Sequence, residues 1–206
     1  MISHEAFDVI ESADPCRAYG HDAIRGTWAN VSEDIFRYLT KSPDNLAGGD
    51  DLLHRVSAFA TPELMCLFLY RVSHYLWVKT HRRMAVMVSR LNYMIHKVNI
   101  TPQSCIGPGC RLSHPPGVTF HGRAGRGLTL FSLAVCCPEG ARFGGPVETG
   151  PRIGDRVTIG AHAVLIGPVT VGDDTRLSLG AWVNRDTPAR VNVISNAFYK
   201  RPRPIR

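Results

Sequence analysis

The sequence predicts an α+β chain: a helical N-terminal domain followed by a parallel β-helix of about four coils. Three observations predict it. An apolar residue returns at every sixth position over two runs. Glycine often follows that residue directly, as at Gly107, Gly125, Gly154, Gly160 and Gly172. Upstream, between Pro62 and Val98, the apolar residues keep helical spacing instead.

Taken in order, residues 1 to about 49 read as short helices with loops. In "VSEDIFRYL", Ser32 is placed to cap, acids fill the first turn, and Ile35, Phe36 and Leu39 make one face. "NLAGGDD" (45 to 51) reads as a hinge. "TPEL" starts the next helix, with Thr61 as N-cap and Pro62 at the first helical position. That helix runs to about Lys79, and a second spans about 82 to 97. Its stripe of Met84, Met87, Leu91 and Met94 reads as core or subunit packing.

At Ile100 the period changes to six. Ile100, Ile106, Leu112, Val118, Ala124, Leu130 and Cys136 form one run; Ile153, Ile159, Leu165, Val171, Leu177 and Val183 form the next. The register breaks over 137 to 152, which reads as an excursion loop. A helix repeats near 3.6 and a flat strand at two, so neither fits. A triangular coil with one short strand per side does. The apolar residue points into the prism, and glycine permits the corner. Three hexads make one coil, and stacked coils bury a continuous core. The domains implied are helical from 1 to 98, β-helical from 99 to 190, and a basic tail from 191 to 206.

Composition bounds the function. The chain has 206 residues, 44% apolar and 20% charged, as globular chains do. The most apolar segment, 64 to 77, is too short to span a bilayer and is broken by Arg71 and His74. With no signal-peptide pattern at the start, the expectation is a cytoplasmic protein without membrane association. The net charge is +7, and Leu64 to Pro138 holds nine bases and no acid. No nucleic-acid-binding module accompanies that charge, so no nucleic-acid partner is expected; a groove for a phosphorylated ligand accounts for it equally well. The six cysteines form no CxxC pair, and no His/Cys/Asp cluster has metal-ligand spacing. No metal is expected.

Four stretches carry a family resemblance: "LYRVSHYLW" (69 to 77), "VNITPQSCIGPGCRLSHPPGV" (98 to 118), "PRIGDRVTIGAHAVLIGPVTVGD" (151 to 173) and "SNAF" (195 to 198). Over about residues 60 to 198 they resemble the hexapeptide-repeat acyltransferases, in the serine O-acetyltransferase branch. The resemblance implies a left-handed coil, acetyl-CoA as co-substrate, a small-molecule acceptor, and a homotrimer or a hexamer built from it. It places His114 on the family's general base, which takes the proton of the acceptor hydroxyl as that oxygen attacks the thioester. An imidazole suits this task near neutral pH. The resemblance puts the pantetheine arm by Gly160, Ala161 and Leu179, with His162 beside it.

The departures bear on the acceptor. Asn99 stands where the family has the aspartate paired with the base; its amide can still hold the ring but cannot neutralise it. Ser113 replaces an aspartate that helps hold substrate. "ETGP", Glu148 to Pro151, stands in place of D-R-H-P. Ser113, His121 and Glu148 are therefore the candidate acceptor residues. The reading is an acyltransferase acting on a hydroxyl or amine other than that of free L-serine. The alternatives are a true serine O-acetyltransferase with an eroded motif, or a degenerate paralogue serving as an assembly or regulatory partner.

Overall fold

The computed structural model describes residues 15–41, 61–141, 145–194 and the pair 203–204. The proposed hinge at 45 to 51 and the "SNAF" stretch lie outside the described residues. Strands wind into a parallel β-helix of about five turns, one more than the sequence suggested. Face A stacks Asn99–Ile100, Thr119–Phe120, Val135–Cys137, Val164–Ile166 and Trp182–Val183. Face B stacks Cys105–Ile106, Arg123–Ala124, Arg152–Ile153 and Thr170–Val171. Face C stacks Arg111–Ser113, Thr129–Phe131, Thr158–Ile159, Arg176–Leu177 and Val191–Val193. Strand pairing on face C thus reaches Val193, and Arg203–Pro204 adds an antiparallel edge to it.

The inward hexad residues form the core. Ile106, Leu112, Leu130, Ile153, Ile159 and Leu165 are fully buried, and each such side chain contributes about 1.5–3 kcal/mol. One hexad position is out of phase: Phe120, not Val118, lies over Ile100. The corner before it carries two extra residues, and the next corner carries two fewer. The glycines differ from expectation as well. The left-handed residue falls two places later, at Gly109, Gly127, Arg156, Asp174 and Arg190. A Cβ on Gly107 would lie 2.7 Å from the backbone of Gly125, and one on Gly125 would lie 2.1 Å from Asp155 Oδ1. Those glycines let coils stack closely; they do not turn the corner.

Among the described residues four helices precede the coils: α1 (Pro15–Ala18), α2 (Ile24–Lys41), α3 (Pro62–Val78) and α4 (Arg82–His96). α2 starts eight residues before Ser32, whose hydroxyl bonds back to Trp28 O instead of capping. Val31 and Asp34 are buried, while Phe36 is exposed. α3 begins at Pro62 as the sequence implies, although Thr61 makes no side-chain cap bond. The open edge of a β-helix presents unpaired backbone groups, and α2 and α3 cover it. Buried Arg71 donates to Gly107 O at 2.8 Å and to Asp34 Oδ2 at 2.9 Å. Asp34 Oδ1 accepts from Cys110 N at 2.7 Å. Tyr70 Oη donates to Ser104 O and accepts from Ile106 N. The stripe Met84, Met87 and Met94 on α4 is more than half exposed in the single chain. It is therefore not part of the core of the single chain. Among the described residues no helix is long and apolar enough to cross a membrane.

Candidate active site

Two edges border face A, and the candidate residues divide between them. The first edge joins face C to face A. Its corner residues take left-handed backbone at His114 (φ 56), Leu133 (59), His162 (57) and Gly180 (64). They stack by backbone bonds, Leu133 N to Pro116 O, His162 N to Ser132 O and Gly180 N to Ala161 O. In the first turn the corner is the longer "HPPG" one, which sets His114 out from the column, exposed to solvent. Among the described residues His114 is the one left-handed non-glycine followed by proline. A following proline disfavours helical backbone, and a left-handed side-chain residue costs on the order of 1–3 kcal/mol. The two prolines in turn hold the corner stiff.

Half-buried Asn99 opens the first strand of face A, across this corner, with its N–H on Val118 O at 2.9 Å. Among the described residues no hydrogen bond joins its side chain to His114. Ser113, next to His114 in the chain, stands half-buried at the end of its strand. Below, one coil step of about 4.8 Å at a time, come Leu133, then Ala161 with His162, then Leu179. Leu133 is 44% exposed, Leu179 66% and neighbouring Trp182 67%. This strip is some three coil steps long, on the order of 14 Å, with His114 at one end and exposed His162 among its apolar residues. Gly160 is a packing glycine: its Cβ would lie 2.7 Å from Leu177 O in the coil beneath.

The second edge joins face A to face B. His121 is fully buried there. Its Nδ1 lies 2.9 Å from Thr101 Oγ1, which lies 2.8 Å from Ser104 Oγ. Ser104 Oγ also donates to Phe120 O and accepts from Gly122 N. Burial holds the His121 ring below the ordinary imidazole range, against the opposing pull of Pro146 O and the Glu148 charge. The described end of the excursion, residues 145 to 151, packs against it through Pro146 and Gly150. Gly150 packs so closely that a Cβ would meet His121 O at 2.1 Å. Glu148 accepts from Arg123 Nη2 at 2.6 Å. Pro138, Glu139, Pro146, Glu148, Thr149 and Pro168 line a cleft of about 610 Å³ under the loop.

Sequence reasoning thus found residues on both edges but not their separation. His114, Asn99, Ser113, Gly160, Ala161 and Leu179 share one edge; His121 and Glu148 share the other. It missed Thr101 and Ser104, which hold His121 from the coil before, and Arg123, which pairs with the loop. Only the stacking register brings these together. It also expected no cluster of metal-ligating side chains, and the fold assembles one, where the helices dock on the first turn, from Cys16, His21, His74 and Cys105.

No protein-family profile matches the chain. A serine acetyltransferase of Mycobacterium tuberculosis is 29% identical over 142 residues, covering 66% of this chain and 59% of that protein. Serine acetyltransferase 4 of Arabidopsis thaliana is 28% identical over 185 residues, covering 88% and 48%. The chain is thus similar in sequence to serine acetyltransferases. The crystal structure of the Neisseria gonorrhoeae serine acetyltransferase superposes with a TM-score of 0.75 at 21% identity, over 87% of this chain and 67% of that one. This likeness carries the fold, helices included. The chain spans about half the length of the curated relatives it matches.

Proposed function

We propose that the chain is an acetyl-CoA-dependent O-acetyltransferase of the serine acetyltransferase type, with His114 as general base. The observation that carries this reading is the edge between faces C and A. An exposed histidine on a stiff corner heads a strip of exposed Leu133, half-buried Ala161 and exposed Leu179 that suits the pantetheine arm of acetyl-CoA. The acceptor hydroxyl gives its proton to the imidazole as its oxygen bonds to the thioester carbonyl. The carbon–sulfur bond then breaks, and CoA leaves as the thiol with that proton. By the family resemblance, Asn99 is the residue assigned to orient the ring.

The relatives favour L-serine as the acceptor, the alternative of the sequence reading over its first choice. One feature of the second edge agrees. The arginine and histidine that the loop lacks have counterparts on the strand side of it, in Arg123 and His121. Arg123 is a guanidinium for an acceptor carboxylate, and Glu148 is its present partner. His114 and Arg123 lie on opposite borders of face A, so an acceptor touching both needs a second prism. We infer a homotrimer, or a hexamer built from it through the exposed Met84–Met87–Met94 face of α4, acting in the cytoplasm.

The test is thiol release from acetyl-CoA with L-serine and with a panel of other hydroxyl and amine acceptors. Turnover of L-serine on the order of 1–10³ per second is expected. Turnover of another acceptor alone restores the first choice of the sequence reading. Release with none, and no rise in melting temperature with acetyl-CoA, leaves the non-catalytic paralogue.

A further inference from the structure

Four metal-ligating side chains meet where the helices dock on the first turn. Cys16 comes from α1, His21 from the turn after it, His74 from α3 and Cys105 from the first strand of face B. Their ligand atoms all lie within 4.8 Å of one another. His21 Nδ1 is 2.9 Å from His74 Nε2 and 3.7 Å from Cys105 Sγ. His21, His74 and Cys105 are buried and Cys16 is half-buried.

A zinc ion with Zn–S near 2.3 Å and Zn–N near 2.0–2.1 Å spans tetrahedral edges of about 3.3–3.8 Å. The four atoms straddle that range, so shifts of about an ångström or less would close the tetrahedron. An outer partner is already in place. His74 Nδ1 lies 2.8 Å from Pro102 O. A carbonyl can only accept, so Nδ1 carries the proton and the lone pair of Nε2 faces the cluster, as in a metal-bound histidine. A hydrogen bond between the two rings explains their one contact. It does not explain why two thiols converge on the same point.

We propose that Cys16, His21, His74 and Cys105 form a structural Cys₂His₂ zinc site that clips the helices to the β-helix. Two thiolates and two neutral imidazoles leave the buried centre without net charge, which removes the main cost of burying the ion. Binding sends two thiol protons to solvent. All four positions are filled by protein, so none remains for a reacting water. The site departs from the sequence expectation of no metal, and it is independent of the acyl-transfer reading.

The test is the metal content of the full chain, made without a histidine tag in zinc-supplemented medium. Elemental analysis is expected to find about one zinc per chain, the stoichiometry of such a site. Cys16→Ser and His21→Ala should each lose it, while Cys137→Ala, on face A, should keep it. Cobalt(II) added to the chelator-stripped chain should produce visible d–d bands and a thiolate charge-transfer band. Stripping alone should lower the melting temperature. A wild-type chain that purifies without zinc, takes up none, and melts at the same temperature with or without it would overturn the proposal. So would a Cys16–Cys105 disulfide in the peptide map of the unreduced chain. Both of these are read on the wild type, so a variant that fails to fold leaves the decision intact.

Discussion

The two edges of face A present their histidines in opposite ways. On the edge toward face C, His114 stands exposed on a proline-stiffened corner, above exposed Leu133 and Leu179. On the edge toward face B, His121 is fully buried, bonded to Thr101 and covered by the loop. The open edge has side chains free to meet a ligand. The closed edge has its polar atoms engaged with the chain itself. A base must reach the proton it removes, so the exposed histidine suits catalysis as the protein stands. The buried one suits holding a loop in place.

The largest effect tests this assignment directly. His114→Ala should cut turnover about 10²–10⁴-fold, the usual contribution of a positioned acid–base group, with little change in the Michaelis constant for acetyl-CoA. If steady-state kinetics show wild-type turnover in His114→Ala and a comparable loss in His121→Gln, the roles of the edges are reversed. Gly150→Ala comes next. Its new Cβ would sit 2.1 Å from His121 O, and overpacking of this kind costs about 1–3 kcal/mol. Chemical denaturation should show that loss of stability. An unchanged midpoint would mean that the loop does not press on His121.

How much of this was legible differs between regions for a physical reason. The coil repeat is local: each hexad states its own inward residue, so the β-helix could be read although Phe120 slipped by two. His114 was visible through its motif and its corner. The closed edge was legible only in part. Thr101 and His121 are 20 residues apart and Arg123 and Glu148 are 25 apart, and only the coil register joins them. The docking of the helices was hidden altogether. Arg71 with Asp34, and the cluster of Cys16, His21, His74 and Cys105, bring together residues from separate elements, and no local pattern marks such meetings.

A smaller effect probes the open edge away from its histidine. Leu179 is 66% exposed, and covering such a side chain with the pantetheine arm would contribute on the order of 1–2 kcal/mol. Leu179→Glu should therefore raise the Michaelis constant for acetyl-CoA about tenfold, one decade per 1.4 kcal/mol, and leave turnover nearly intact. A fall in turnover without a change in that constant would move the donor off this strip.

The smallest expected effect concerns the closed edge and pH. Burial lowers the His121 value in the folded chain, with Pro146 O and Glu148 opposing. The unfolded chain takes up a proton near the ordinary imidazole value of about 6.5, while the folded chain resists it. Below that pH the unfolded state therefore binds more protons, and stability falls as pH falls. Above it the contribution is flat. Urea midpoints measured from pH 7.5 down to 5 should decline, and His121→Gln should remove part of that decline. The glutamine amide can keep one bond toward Thr101, so the variant should remain folded. Equal slopes for wild type and variant would mean that the ring takes up its proton as readily in the fold as outside it. The loop would then not seal this edge, and the contrast with His114 would lose its basis.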